Sequence, residues 1–391
     1  MKTFISLFCG CGGMDAGFEE VGFQGIGSYD FDPIALETYR SNLSSPAYNI
    51  DLSKEIYDTL KSKKGVDIVL SGSPCQGFST IGKRKLDDKR NSLLIRGAEI
   101  AVELDAKVFI SENVMGSIAG AHKQYWNQVE SILNSNGYKV ETLILDALKL
   151  GMGQRRKRVI LIATKNFFDL KITNKNIKAK SLKTILHNLP ATSKDDFIPF
   201  DKKDDRAIAE VMKPGQKLCD VRGGLRAVKS WQIPEVFGQT SESEKRLLEE
   251  ISKIRRKVRI RDHGDADPVP IALLKECYGD AITENIDELV AKGYLKYKNE
   301  CVDLSRTFNG KYRRLSWDEP SYTVDTNFGN PKYFIHPEED RGMSVREAAR
   351  IQGFSDNFEF SGSIHQKFKM IGNAVPPPMS KWIATVIKNS I

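Results

Sequence analysis

Short apolar runs recur along the first 165 residues, at Phe4–Phe8, Val66–Leu70, Val108–Ile110 and Val159–Ala163. Each has strand length and lacks the alternation of a half-exposed strand, so each is predicted to be buried on both faces of a parallel sheet. Gly25–Tyr29 reads as a further strand, and Met14–Val21 as the helix between it and the first run. Leu93, Leu94, Gly97, Ala98, Ala101, Val102 and Leu104 fall at helical spacing ahead of the Val108 run. Strand and helix signals that alternate in this way predict an open, doubly wound α/β sheet, whose ligands bind beyond the carboxyl ends of its strands. The loops after the runs are therefore where chemistry is expected.

The rhythm stops at about residue 166. Asn166–Lys183 mixes lysines with isolated apolar residues, and Thr192–Asp205 is polar and charged, which predicts a second domain of different architecture. The expected division is 1–165, 166–330 and a final segment 331–391. Within the second domain, Lys253–Arg261 holds six basic residues in nine and no acid. Pro270–Tyr278 reads as a short helix and Gly279-Asp280 as a turn. Ile282, Ile286, Leu289 and Val290 mark one face of a second helix, with Thr283 as its cap and Gly293 as its stop. Leu295–Lys298 and Cys301–Leu304 form a hairpin around Asn299-Glu300. Helix, turn, helix and hairpin over 268–305 resemble a winged helix-turn-helix; an ordinary small α+β insertion is the other reading.

Composition narrows the function classes. The 391 residues are 28% charged and 40% hydrophobic, which excludes a disordered tail or a disulfide-stapled miniprotein. The net charge of +8 suits a polyanionic partner. Six cysteines (Cys9, Cys11, Cys75, Cys219, Cys277, Cys301) include no Cys-x-x-Cys pair, so no metal site is expected. No apolar run reaches the roughly 20 residues of a membrane span, and the start lacks a signal-peptide core. A cytoplasmic protein without membrane attachment is expected.

Four loops hold candidate chemistry. Phe8-Cys9-Gly10-Cys11-Gly12-Gly13 lies between the opening strand and a helix, where glycines admit close approach of a ligand. Asp15 stands where a dinucleotide fingerprint needs glycine, so a pyrophosphate clamp, and with it an NAD-dependent oxidoreductase, is disfavoured. A nucleoside cofactor or a plain tight turn remains. Asp30 suits ribose hydroxyls, because a carboxylate accepts two hydrogen bonds, and Asp51 is placed to meet an adenine amino group. The second loop, Ser71-Gly72-Ser73-Pro74-Cys75-Gln76-Gly77-Phe78-Ser79, sets a cysteine behind a rigid proline at a strand end. The thiolate is the nucleophilic form, a positive field favours it, and Lys83, Arg84 and Lys85 follow closely. An isolated cysteine is usually an inert core residue, but these polar neighbours make burial awkward. In the third loop Glu112 can face Cys75 and hydrogen-bond a ring nitrogen, unless it only forms a surface salt bridge. The fourth, Gln154-Arg155-Arg156-Lys157-Arg158, reads as a solvated patch or, on the edge shared with Cys75, as a group orienting an anionic substrate.

In this order the residues resemble the cytosine-C5 DNA methyltransferases, from one end of the chain to the other. The most specific matches are Pro74-Cys75-Gln76, Glu112-Asn113-Val114 and Gln154-x-Arg156-x-Arg158. Arg314–Val324 looks like the segment organising that family's target-recognition domain. Ser344–Gly353 and Gly372-Asn373-Ala374-Val375-Pro376 look like its closing helix and motif. Ser6 departs from the acid many members carry there. The resemblance implies a Rossmann-like, AdoMet-dependent α/β sheet domain plus a smaller target-recognition domain, with 331–391 returning to complete the cofactor pocket. It implies methyl transfer from S-adenosyl-L-methionine to C5 of a cytosine flipped out of double-stranded DNA, releasing S-adenosyl-L-homocysteine. Cys75 would add to C6, Glu112 would act at N3, Arg158 would hold the base, and Arg156 and Pro74 would support the site. Phe8, Gly10, Gly12, Asp30, Phe31, Asp51, Leu52, Pro74, Leu93, Asn373 and Val375 would hold the cofactor. Ser79 through Asn91 would close over the base, with Ser79, Lys83, Arg84, Lys85 and Arg90 on DNA. The basic run Arg255, Arg256, Lys257 and Arg259 joins them as candidate DNA contacts. The resemblance says little about which bases are read; if 268–305 is a winged helix-turn-helix, Thr283–Lys292 would be its base-reading helix. A monomer is expected, in a bacterial or phage restriction–modification role with or without a cognate restriction endonuclease. An RNA cytosine methyltransferase and a DNA-binding regulator without catalysis are the competing readings; the long region between Lys165 and Arg314 and the intact Cys75, Glu112 and Arg158 weigh against them.

Overall fold

The structure is a computed structural model, and it describes residues 2–54, 58–74, 88, 91–165, 177–189, 196–261 and 266–390. The chain forms two compact units, Met1–Asp196 with Trp317–Phe328 and Ser344–Ile391, and Phe197–Ser316 with Gly329–Met343.

The first unit opens with β1 (Thr3–Leu7), α1 (Gly13–Val21), β2 (Gln24–Asp30), α2 (Pro33–Asn42), β3 (Ala47–Asn49), α3 (Asp58–Lys61), β4 (Ile68–Ser71) and α4 (Ser92–Glu103). It continues with β5 (Val108–Val114), α5 (Lys123–Ser135), β6 (Lys139–Asp146), β7 (Lys157–Thr164) and α6 (Leu182–Ile185). The seven strands form one sheet in the order β3-β2-β1-β4-β5-β7-β6. β1 to β5 run parallel, whereas β7 is antiparallel to both β5 and β6. The α/β class expected from the apolar runs is present, with a mixed rather than fully parallel sheet.

Alternation along each strand fills two cores. Ile68 and Leu70 of β4 join Phe4, Ile110, Ile160 and Ile162 on one face, while Val69 joins Leu7, Phe109 and Leu161 on the other. Fully apolar runs are thus what a central strand covered on both faces requires. The first face is closed by α1 and by a helix from the far end of the chain; the second is closed by α4 and α5. Because β2, β1, β4 and β5 are neighbours and parallel, their carboxyl ends share one edge. The antiparallel β7 brings its amino-terminal end to that same edge.

The composition change at 166 and the unit boundary do not coincide. The amides of Leu182 and Lys183 donate to the carbonyls of Glu319 and Trp317 at 2.9 Å each, so this polar stretch belongs with the sheet unit.

The second unit contains α7 (Lys203–Val211), β8 (Lys217–Cys219), β9 (Ala227–Val228), α8 (Pro234–Phe237), α9 (Glu242–Lys257), β10 (Val269–Pro270), α10 (Ile271–Tyr278) and α11 (Ile282–Ala291). β11 (Leu295–Lys298), β12 (Cys301–Leu304), β13 (Asn309–Lys311), β14 (Arg313–Arg314) and β15 (Phe334–Ile335) complete it. Leu247, Leu248 and Ile251 of α9 pack with Leu274, Ile286, Leu289 and Val302 in one core, and the strands there are ordered β10-β12-β11. The exposed positions of α11 include Glu284, Asp287 and Glu288. An acidic outer face is repelled by phosphates, so it does not favour α11 as a base-reading helix.

The chain ends in the first unit with α12 (Val345–Gln352), α13 (Ile364–Asn373) and α14 (Pro377–Ser390). α14 lies on α1, where Ser380 Oγ donates to the Met14 carbonyl.

Candidate active site

The glycine loop follows β1 at the shared edge. Phe8 has φ +55°, a conformation that non-glycine residues rarely adopt, and the Cys9 amide donates to the Tyr29 carbonyl at 3.1 Å. Gly12 has φ +89°, and a Cβ there would lie 2.2 Å from Leu43 Cδ1. Only glycine satisfies both conditions.

Asp30, at the end of β2, anchors this loop: Oδ2 accepts from the Gly10 amide at 2.8 Å and Oδ1 from the Asp32 amide at 2.9 Å. Burial pushes its carboxyl above the ordinary value, while those two amides pull it down. Phe31 beside it is 66% exposed, an apolar ring left open on the rim.

Beneath the loop lies an acid whose role the sequence did not show. Asp15 is fully buried and accepts from Ser6 Oγ at 2.7 Å, Ser28 Oγ at 2.9 Å and Tyr39 Oη at 2.7 Å. Burial pushes its carboxyl up to about 6 against those three donors. It ties β1, β2, α1 and α2 together under the pocket, and it bonds to Ser6, where an acid was expected from resemblance. Spacing alone gave no signal that Asp15 points inward.

The strand ends beyond β1 carry the polar chemistry. Glu112 on β5 and Arg158 on β7 form an ion pair, with Nε 2.7 Å from Oε1, and both side chains are largely buried. The register explains the pairing. Val114 sits opposite Arg158, and residues two apart on a strand share a face. Asn113 Nδ2 reaches Ser73 Oγ at 3.2 Å, which fixes the approach to Pro74.

Arg156 does not lie in a solvated patch. It is 1% exposed, and it donates to the carbonyls of Val324 at 2.8 Å, Gly372 at 3.2 Å and Ala374 at 2.9 Å. Gln154 reaches Gln352 Oε1 at 2.8 Å, and Gln352 reaches the Ala374 carbonyl at 2.7 Å. This buried polar network fixes the closing segment against the sheet unit, and Gln352 is a member that sequence reasoning passed over.

One cavity gathers most of the expected residues. Its lining includes Phe8, Gly10, Asp30 and Phe31 from the first two strand ends, and Pro74, Glu112 and Arg158 from the next three. Asn373 and Val375 close it from the far end of the chain. Gly12 shapes the loop from behind. Four expected cofactor residues, Gly12 and three others, are not in this lining. Asp51 instead accepts from the Ser53 amide at 3.0 Å and hydroxyl at 2.7 Å; Leu52 is buried in the core; Leu93 borders a separate hollow with Arg96 and Gln128. Cys75, Ser79, Lys83, Arg84, Lys85 and Arg90 lie outside the described residues. The loop cysteines are poor nucleophiles, since burial pushes the Cys9 thiol far up and Cys11 to about 12. Among the described residues no cluster of His, Cys, Asp or Glu could hold a metal, and no helix is long and apolar enough to cross a membrane.

The chain matches the family model for C-5 cytosine-specific DNA methylase over residues 2–389. The chain belongs to this family. The type II methyltransferase M.AgeI of Thalassovita gelatinovora is 29% identical, with both chains covered in full. M.Eco47II of Escherichia coli is 30% identical over 97% of this chain and 76% of its own. Solved structures share the fold: an E. coli prophage protein described as a DNA modification methyltransferase (TM-score 0.61, 22% identity, 100% and 99% coverage) and a mutant DNMT2 of Spodoptera frugiperda (TM-score 0.55, 16% identity, 99% and 100% coverage). The protein is thus a DNA (cytosine-5-)-methyltransferase of an AdoMet-dependent family, and DNA is its substrate.

The basic run in the second unit needs one correction. Arg255 is buried, and its Nε lies 2.5 Å from Asp303 Oδ1, so it is not a DNA contact. Arg256, Lys257 and Arg259 are exposed around the end of α9. Asp303→Ala would leave the Arg255 charge buried without its carboxylate, an expected loss of roughly 3–5 kcal/mol measured by urea unfolding.

Proposed function

We propose that this methyltransferase uses Cys75 as nucleophile and converts a flipped-out cytosine in duplex DNA to 5-methylcytosine. The observation that carries the reading is the Glu112–Arg158 ion pair in the same cavity as Asp30, Phe31, Pro74 and Asn373. The cavity suits S-adenosyl-L-methionine: a carboxylate for ribose hydroxyls, an open ring at Phe31 for one adenine face, and glycine backbone along the wall. Asp30 would hold the ribose, and Phe8, Pro74, Asn373 and Val375 would line the remainder. AdoMet supplies an electrophilic methyl group and leaves as S-adenosyl-L-homocysteine.

The target carbon is inaccessible within the base stack, so the cytosine must swing out to react. The Cys75 thiolate then forms a bond to C6, and the displaced electron pair makes C5 nucleophilic. Glu112, in its protonated form, hydrogen-bonds or protonates N3 and is left as the carboxylate, which draws electron density from the ring and eases attack at C6. Arg158 fixes the Glu112 carboxylate through Oε1 and helps hold the base. Once C5 carries the methyl group, a base removes the C5 proton, the electron pair restores the ring double bond, and Cys75 leaves.

Ser79, Lys83, Arg84, Lys85 and Arg90 would take phosphates of the DNA, which give affinity and register without sequence information. We take the protein to act as a monomer within a restriction–modification system.

The test is transfer of a labelled methyl group from AdoMet to duplex DNA, with tRNA in parallel and modified positions mapped by bisulfite sequencing. DNA label in the wild type that is lost in Cys75→Ala is the expected result. Label in tRNA alone, or undiminished label with Cys75→Ala, would sink the reading.

A further inference from the structure

One wall of the cavity that holds Asp30 and Glu112 is a single face of α13. Gln366, Lys369, Met370 and Asn373 stand three and four residues apart, so one side of the helix carries them all, and all four border the cavity. Phe368 and Ile371, on the opposite side, are buried. The chain entering this helix is tied to α2. The Ser361 amide donates to Thr38 Oγ1 at 2.9 Å, and Asn42 holds both the amide and the carbonyl of Glu359, at 2.8 and 2.7 Å. The face is therefore presented to the cavity from a fixed base.

α2 supplies an opposing charge. Asp32 caps that helix: Oδ1 accepts from the amides of Ile34 at 3.1 Å and Ala35 at 3.3 Å, while Oδ2 stands 3.5 Å from Lys369 Nζ. A charge-assisted hydrogen bond is shorter, about 2.7–2.9 Å, so this carboxylate holds the ammonium loosely. The Lys369 side chain is 54% exposed, which puts its three N–H donors at the cavity mouth.

The charge balance of the lining gives Lys369 a task. Among the described residues its charged members are Asp30, Asp32, Glu112, Arg158 and Lys369. Arg158 is locked to Glu112 at 2.7 Å, and Asp30 accepts a backbone amide on each oxygen. S-adenosyl-L-methionine brings a sulfonium, an ammonium and a carboxylate. The acids of the lining suit its two positive groups. Its carboxylate needs a cation, and of the two here Lys369 is the one outside a short ion pair.

We propose that Lys369 binds the amino-acid carboxylate of the cofactor, exchanging its long contact with Asp32 for a short charge-assisted one. The inference rests on the reading of this cavity as the AdoMet site. It makes Lys369 a cofactor-binding residue with no part in the chemistry at the base.

Calorimetry on the full chain compares two ligands. One is S-adenosyl-L-homocysteine; the other is S-adenosyl-3-thiopropylamine, which keeps the adenosine, thioether and amine but lacks the carboxylate. The wild type is expected to bind the first more tightly. Lys369→Met should weaken S-adenosyl-L-homocysteine by about fivefold or more, as loss of one ion pair at a partly exposed site implies, and leave the thiopropylamine unchanged. Lys369→Arg should keep most of the preference. Melting temperatures should match the wild type, because the side chain stands at the cavity mouth and not in a core. Equal weakening of both ligands would reduce Lys369 to a structural part of α13 and sink the proposal. So would Lys369→Met with the wild-type preference intact. A wild type that binds neither ligand would overturn the AdoMet reading of the cavity, and the proposal with it.

Discussion

Glu112→Gln is expected to lower the rate of methyl transfer by about 10²–10⁴-fold while leaving AdoMet affinity unchanged. The substitution keeps the shape of the side chain and one oxygen for Arg158, whose Nε lies 2.7 Å from Oε1 in the native pair. What it removes is the acid that, in the proposed mechanism, would give a proton to N3 and then stabilise the positive charge there. An effect confined to that stage appears in kcat and kcat/KM together. Single-turnover transfer to the mapped duplex, with AdoMet binding followed by calorimetry, separates the two quantities. Wild-type turnover in Glu112→Gln would remove the acid from the mechanism. The melting temperature provides the control, because a collapsed site would also lose AdoMet.

Arg156→Ala should act by another route, through stability and cofactor affinity together. The guanidinium is 1% exposed and spans the carbonyls of Val324, Gly372 and Ala374. Truncation takes the donor from the Val324 and Gly372 carbonyls, leaves Ala374 with Gln352 alone, and opens a void, for an expected loss of about 3 kcal/mol, since each buried unmatched acceptor costs roughly 1–3 kcal/mol. Asn373 and Val375 line the cavity on either side of Ala374, so the loosened segment should also weaken AdoMet binding. Urea unfolding and calorimetry would show this. Normal AdoMet affinity in a destabilised protein would reduce Arg156 to a purely structural role.

The residues that were legible in the sequence are those whose pattern is local. Ile68–Ser71 and Val108–Val114 are apolar because both faces are covered, and that pattern survives without neighbours. β6 is different. Lys139–Asp146 stands at the sheet edge with Ile144 exposed, so its half-polar pattern carried no clear strand signal. β3 is only three residues long. Among the site residues, Asp30, Glu112 and the glycine loop were placed by position relative to strand ends. Arg156 and Arg255 could not be distinguished from surface cations, because their partners lie 168 to 218 and 48 residues away in sequence. Asp15 escaped for the same reason: its burial is decided by Ser28 and Tyr39, which only the folded sheet brings to it.

The cavity that holds Asp30, Glu112 and Arg158 is walled by two segments far apart in sequence, Phe8–Cys11 with Gly13 on one side and Asn373–Val375 on the other. A ribosome delivers these two walls in sequence, on the order of half a minute apart at about 5–20 residues per second. A nascent chain therefore carries every residue of its second unit, Phe197–Ser316 with Gly329–Met343, before it owns a closed pocket. An aborted translation product lacking the last few dozen residues would carry one wall of that cavity without the other.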